Sequence, residues 1–389
     1  MSLGVVESFF LIFSGAALLA TVALYTRQPL LVAYIGIGML LGPHALGWIP
    51  DAGFVEDTGE IGIIFLLFLL GLDLPPNKLR TMLGASVVTA LVSTAAFFAV
   101  GFAVMAAFGF SLPEAVVGGI AAVFSSTIIG IKLLPTTVLH HRHTGEIVIS
   151  LLLIQDLLAI VALLALSGYQ PGSGDVLEQA VLVAVAFPAI TLAAFAGVRY
   201  VLLPLLARFD AFNEFVFLLA IGWCLAIATA CHVVGMSFEV GAIVAGVSLA
   251  NSPIAQYITE TLRPLRDFFL ILFFFSIGAA VQPMLLVQVA APALVLGVAL
   301  LAVKPVTFRL LLTWQGESVD TAREIGVRLG QASEFSILVT GVAAATALVG
   351  PEAAHAILAA TVVTLVASTY LVIFRYPSPI AVSARLRRD

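Results

Sequence analysis

Charge is what this sequence has least of: Asp, Glu, Lys and Arg make up only 10% of its 389 residues, while 61% are hydrophobic. A soluble domain carries about 25% charged residues to wet its surface, so a water-soluble fold is excluded and lipid must cover the outside. In lipid the backbone is satisfied only within helices or closed barrels. The apolar runs are too long and continuous for barrel strands, which leaves an all-α polytopic membrane protein.

Other absences narrow the function. No Walker A, HExxH, GxSxG or CxxC pattern occurs, so ATP hydrolysis and the usual intramembrane protease chemistries have no visible residues, and no cofactor is expected. The formal charge of −5 comes with no basic stripe, so nucleic acid is not an expected partner; the partner is the bilayer. Cys224 and Cys231 share one apolar run and read as small packing residues. The N-terminus lacks a basic n-region, and Phe9 to Tyr25 with its flanks is long enough to span, so a retained helix is expected there rather than a signal peptide.

Charged, Pro and Gly-rich breaks predict about thirteen transmembrane helices, near 3-26, 29-48, 59-72, 81-108, 114-134, 144-168, 175-206, 211-232, 236-251, 265-283, 288-313, 322-346 and 353-376. Arg27, Lys78, Arg80, Lys132, Arg142, Arg199, Arg208, Arg263, Arg266, Arg309, Arg323, Arg375, Arg385, Arg387 and Arg388 all fall at or beside the ends of odd-numbered helices. The opposite connections carry Asp51, Glu56, Asp57, Glu114, Asp175, Glu178 and Glu352. The positive-inside rule then places the N-terminus outside and the C-terminus in the cytoplasm, in what is expected to be a bacterial inner (plasma) membrane.

An internal repeat is also visible. Phe68 and Phe275, Gly71 and Gly278, Pro76 and Pro283, Gly119 and Gly326, and Ser126 and Ser333 are all 207 residues apart. That offset spans seven predicted helices, an odd number, so the second half runs through the membrane in the opposite sense. The expected arrangement is two inverted repeats, about 1-168 and 211-376, joined by a linker helix at about 175-206.

Ionisable residues near the bilayer centre are costly and usually functional. At ~1.5 Å per residue, Asp156 lies roughly 15 Å along the sixth helix and Glu334 roughly 16 Å along the twelfth, both near the midplane of a ~30 Å core. Lys304, on the eleventh, comes within side-chain reach of that level. Gln155 is the only polar neighbour of Asp156 in the run LLLIQDLLAIVALL. A carboxylate at that depth can be neutralised by a proton or by a cation, and that competition is the minimum chemistry of an antiporter. An acid kept only for packing is the weaker reading.

The fifth helix carries VFSSTIIG, with Ser125, Ser126 and Thr127 at mid-depth, and the twelfth carries RLGQASEFS at the matching repeat position, with Gln331 and Ser333. Hydroxyls and glycines in paired places are what broken membrane helices need, because unwound backbone must find polar partners or line a cavity. Hydroxyls that bond back to their own helix are the alternative. Glu334 and Lys304 read equally as a structural ion pair or as transport residues. Gly36, Gly38 and Gly42 read as helix-packing positions. His140, His141 and His143 read as a solvated loop. Phe268, Phe269, Phe273, Phe274 and Phe275 read as lipid-facing or dimer-packing bulk.

Taken together, VGAIVAGVSLANSP, FFFSIGAAV, the Gln155-Asp156 pair and GQASEF resemble the membrane domain of Kef-type monovalent cation:proton antiporters, within the superfamily that has the NhaA-like fold. The resemblance covers nearly the whole length. It implies a homodimer with a dimerisation scaffold at about 1-75 and 211-285 and a mobile transport core at about 81-168 and 288-376. In that core two discontinuous helices cross, placing Ser125, Ser126, Thr127, Gln331, Ser333 and Glu334 around Asp156, the ligand for a transported K+ or Na+ and for H+. Electrogenic members have two adjacent acids where Gln155 and Asp156 stand, the first paired with a lysine matching Lys304. With Gln155 in that place, charge counting favours one proton for one cation. Kef-type proteins continue into a cytoplasmic nucleotide-binding domain, whereas this sequence ends in the basic SARLRRD. Two rival functions share the architecture or the setting: a sodium-coupled symporter of an organic anion, and a gated cation channel, for which no TVGYG-like filter occurs.

Overall fold

The computed structural model describes residues 4-49, 52-72, 85-134, 143-167, 176-209, 213-234, 236, 238-252 and 255-378. Asp51, Pro76, Lys78, Arg80, His140, His141, Arg142, Asp175, Arg385, Arg387 and Arg388 lie outside them. Among the described residues there is no β-strand. The helices are α1 (Val5–Tyr25), α2 (Leu30–Leu41), α3 (Ala52–Leu72), α4 (Ala85–Ala107), α5 (Leu112–Val123), α6 (Thr127–Lys132), α7 (His143–Ser167), α8 (Val176–Gly197), α9 (Leu203–Phe209), α10 (Asn213–Val233), α11 (Phe238–Ala250), α12 (Ala255–Ala280), α13 (Pro283–Gln288), α14 (Ala290–Trp314), α15 (Val319–Arg328), α16 (Glu334–Ala345) and α17 (Pro351–Arg375). A π-helical turn, Val198–Leu202, joins α8 to α9. Among the described residues, 7 helical segments are long and apolar enough to cross a membrane, and shorter apolar helices accompany them.

Several boundaries differ from the hydropathy reading for local reasons. The span expected at 29-48 stops being helical at Leu41, beyond which the chain turns and Gly47 takes φ +65. The ranges 114-134 and 322-346 each hold two helices with non-helical backbone between them, at 124-126 and 329-333. Phe124 and Ser333 are extended there, at ψ 145 and ψ 162. Helix starts recur at the 207-residue offset: Leu112 and Val319 open α5 and α15, and Thr127 and Glu334 open α6 and α16.

The chain forms two compact units, one of Met1–Ala16, Tyr34–Thr81 and Ser167–Ala280 and one of Ala17–Ala33, Met82–Leu166 and Val281–Asp389. In the first, helices touch backbone to backbone. A Cβ on Gly38 of α2 would strike the carbonyl of Phe275 in α12, and a Cβ on Gly246 of α11 would strike the carbonyl of Phe68 in α3. Phe68 and Phe275 are themselves a 207-residue pair. This close approach corrects the reading of the phenylalanines: Phe273, Phe274 and Phe275 are buried, because glycine on the facing helix leaves room for them. Phe269 stacks on Phe65 at 4.5 Å, whereas Phe268, stacked on Phe13 at 5.0 Å, stays exposed as the sequence reading expects. Cys224 and Cys231 are buried and free.

In the second unit Phe97, Leu151, Leu152, Phe308, Ile325 and Leu329 belong to a buried apolar cluster where α4, α7, α14 and α15 meet. Two more glycines repeat one contact: Gly119 of α5 lies against the Phe98 backbone of α4, and Gly326 of α15 against the Pro305 backbone of α14. Phe98 and Pro305 are also 207 residues apart.

The first unit's packing yields a test. Gly246→Val should cost about 1–3 kcal/mol, as overpacking does, and lower the thermal midpoint of the purified protein. Gly222→Val, where an added Cβ meets nothing within 4 Å, should leave that midpoint in place. Equal midpoints for the two variants would contradict the close approach.

Candidate functional site

Breaking a helix inside an apolar core frees N–H and C=O groups that lipid cannot satisfy. The two breaks solve this with the residues that interrupt them. Ser126 Oγ accepts from the Ile129 amide at 3.2 Å, and Ser333 Oγ accepts from the Phe335 amide at 3.2 Å. These serines, 207 residues apart, are therefore the N-caps of α6 and α16. Ser336 adds a tie between the broken helices, its hydroxyl donating to Ala121 O at 2.6 Å.

The carbonyl end of α5 and a carbonyl of the break after α15 converge on Lys304 of α14. Its ammonium donates to Phe124 O at 2.6 Å and Gln331 O at 3.1 Å, with Val123 O and Ser125 Oγ each at 3.4 Å. It also stands 5.1 Å from the centre of the Phe97 ring. Helix C-termini carry partial negative charge, so a wholly buried ammonium sits where the local field favours it. Ser125 Oγ donates to Leu329 O at 2.8 Å and Gln331 Nε2 donates to Ser126 O at 3.4 Å, which joins one break directly to the other. Gln155 serves this same pole: its Oε1 accepts from the Ser125 amide at 3.0 Å and its Nε2 donates to Val123 O at 3.5 Å.

Asp156, one residue on, faces the opposite pole. It is 3% exposed, and the Thr127 hydroxyl donates to it, 3.2 Å from Oδ1 and 3.4 Å from Oδ2. Thr127 is the first residue of α6, whose N-terminal amides carry partial positive charge. Glu334, the first residue of α16, interacts electrostatically with Asp156 and accepts from Ser333 Oγ at 3.3 Å. The described hydrogen-bond partners of Lys304 are neutral oxygens of the two breaks, and an aromatic face lies beside it.

Sequence reasoning missed the polar supports on α17. The Ala332 amide donates to Thr364 Oγ1 at 2.9 Å and Ser368 Oγ donates to Gln331 Oε1 at 2.9 Å. Thr361, Thr364 and Ser368, three and four residues apart, form a hydroxyl stripe at helical spacing in an otherwise apolar helix, and that stripe was the available signal.

Comparison with known proteins follows from this geometry. The family model described as "Sodium/hydrogen exchanger, transmembrane" matches residues 10–374. The chain is 29% identical over 356 residues to K(+) efflux antiporter 4 of Arabidopsis thaliana, covering 88% of this chain and 59% of that protein. It is 26% identical over 344 residues to the iron transporter MagA of Paramagnetospirillum magneticum, covering 88% of this chain and 79% of that one. The chain therefore spans well under two thirds of the first of these relatives. Among solved structures, the sodium proton antiporter MjNhaP1 from Methanocaldococcus jannaschii at pH 8 superposes with a TM-score of 0.66 at 16% identity, over 94% of this chain and 95% of that one.

Lys304→Met, close in size and uncharged, should leave the Phe124 and Gln331 carbonyls without their donor. Each unsatisfied buried group costs about 1–3 kcal/mol, so thermal unfolding in detergent should shift down clearly. A midpoint equal to wild type would show that the ammonium does not hold the breaks.

Proposed function

Because this chain belongs to the transmembrane sodium/hydrogen exchanger family, we propose that it is a secondary antiporter exchanging an alkali cation, K+ or Na+, for protons by alternating access. The observation that carries this reading is Asp156, a buried carboxylate held by the Thr127 hydroxyl at the amide end of a broken helix. A proton or a dehydrated cation can each neutralise it, with Thr127, Ser126, Ser333, Glu334 and nearby backbone as further oxygen donors. An empty, charged Asp156 carried across an apolar barrier would cost several kcal/mol, which makes exchange obligatory.

Charge counting favours electroneutral exchange. Gln155 is neutral, and Lys304 is already committed to the carbonyls of the breaks. On this reading Glu334 keeps the same charge throughout the cycle and Asp156 trades one proton for one cation. The relatives' names disagree on cargo, K+ in one and iron in another, and the structural neighbour is a sodium proton antiporter. Cargo is read here as monovalent because one carboxylate balances one positive charge.

The same reading includes about thirteen spans in an NhaA-like arrangement of two inverted repeats. It is supported by the helix starts, serine caps and glycine contacts that recur at 207 residues. The first compact unit serves as the scaffold of a homodimer, and the second, which contains every residue of the site, moves to change access. The N-terminus lies outside and the C-terminus in the cytoplasm of a bacterial inner membrane.

Proteoliposomes with a trapped pH dye test the chemistry. Addition of K+ or Na+ should drive proton flux, and Asp156→Asn should abolish it; wild-type flux in that variant would sink the proposal. Electroneutrality has a separate check: an imposed membrane potential should not drive exchange, and potential-driven proton movement would contradict the one-for-one count.

A further inference from the structure

Arg328 takes no part in the ion site, yet it is among the most completely enclosed side chains in the second unit, at 1% exposure. A guanidinium so placed is tolerable only if its donors are used, and the described bonds use four of the five. Nε and one terminal nitrogen donate to Glu324 Oε1 at 2.9 and 2.7 Å, four residues back on α15. The other terminal nitrogen donates to Leu133 O at 2.9 Å, just past the end of α6. The nitrogen shared with Glu324 also reaches Pro377 O at 2.7 Å, just past the end of α17, and the Tyr376 ring lies 5.7 Å from the guanidinium carbon.

One rigid fork therefore gathers three segments: a broken helix of the first half, a broken helix of the second, and the chain as it leaves α17. Arg328 is also the last residue of α15. The next residue, Leu329, opens the break, and its carbonyl accepts the Ser125 hydroxyl at 2.8 Å. A shift of Pro377 pulls on the guanidinium, and a shift of Arg328 moves Leu329 and through it Ser125, the neighbour of Lys304 and Gln155.

We propose that Arg328 is a positioning residue that couples the chain at Pro377 to the geometry of both helix breaks, so that displacement of that exit segment tunes the rate of exchange. Only the rate in this statement rests on the antiport reading; the coupling itself is structural.

The test inserts two glycines between Tyr376 and Pro377 in the full chain, which lets Pro377 move away while leaving every residue of the breaks intact. Hydrogen exchange read by mass spectrometry should show faster uptake, by about 2- to 30-fold, in peptides covering 123-134 and 324-335. Peptides from α4 and the first turns of α14 should keep wild-type protection. Arg328→Met should give the same local loosening, and the combined variant no more than either alone, as expected for groups acting through one contact. Arg328→Lys, which keeps the charge and loses the planar fork, should fall between. In proteoliposomes the insertion should lower maximal exchange by a similar factor with the cation KM unchanged.

Unchanged break peptides in the insertion variant, loosening spread evenly over the unit, or effects of the two changes that multiply would each overturn the coupling. Should the insertion loosen the breaks while the wild-type protein shows no cation-driven proton flux, the antiport reading fails and the coupling stands. Exchange at the wild-type rate with loosened breaks would overturn the claim on rate.

Discussion

Two interrupted helices can share an apolar core only if the backbone groups exposed by their interruptions are bonded, and here one side chain bonds carbonyls of both breaks at once. Lys304 accepts full burial because it finds Phe124 O and Gln331 O, from both breaks, within 2.6 and 3.1 Å. Burying a lone charge is prohibitive, but burying one against the C-terminus of α5 and the Gln331 carbonyl replaces the lost water with fixed dipoles. A carboxylate partner would draw the ammonium away from those carbonyls and leave them unpaired. The neutral Gln155 does the reverse, since it bonds the same break through Ser125 and Val123 and leaves Lys304 where it is.

That arrangement sorts the centre of the second unit into two poles. Backbone carbonyls gather around the Lys304 side chain, while the amide end of α6 faces an acid that can be neutralised in more than one way. Asp156 therefore sits at the amide end of α6 with the Glu334 carboxylate acting on it and no fixed positive charge among its described contacts, which leaves it open to a mobile one. The ends of the broken helices are held as firmly as the middle. Glu114 accepts from the Ser111 amide at 2.9 Å, capping α5, and from the Gly350 amide at 3.0 Å, where α17 begins. Arg328 closes α6, α15 and the exit from α17 in a similar way. The unit is stiff for this reason: few of these hydrogen bonds could change singly without leaving a buried group unpaired.

How much of this could be read from the sequence depends on the scale of the feature. Helicity and membrane residence follow from composition. The depth of Asp156, Glu334 and Lys304 follows from counting along apolar runs, and the three do lie in one unit. What counting cannot supply is direction. The carbonyl partners of Lys304 depend on where the backbone turns after Val123 and Arg328, and no residue type announces that a carbonyl rather than a carboxylate will receive an ammonium. The phenylalanines of α12 show a related limit: bulk and apolarity suit lipid and interior equally, and only the glycines on a different helix, Gly38 among them, decide for the interior. The hydroxyls of α17 were legible as a stripe but had no visible target, because their target is an unwound segment of another helix.

The offset of 207 residues separates framework from function. Some positions that hold helices together agree at this offset: Gly119 and Gly326 admit a neighbouring backbone, and Ser126 and Ser333 cap a helix. Positions that handle charge are unlike. Thr127 corresponds to Glu334, Phe97 to Lys304 and Asp156 to Val363. A fully symmetric pair of halves would place two ammoniums and two Asp156 equivalents around one crossing, and the like charges would repel within a low dielectric. Replacing one lysine position by Phe97 turns that repulsion into a contact, since the ring now lies 5.1 Å from the remaining ammonium. At this offset the two serine caps agree while Asp156, Lys304 and Glu334 each face a different residue type, so the charged groups of the site occur once.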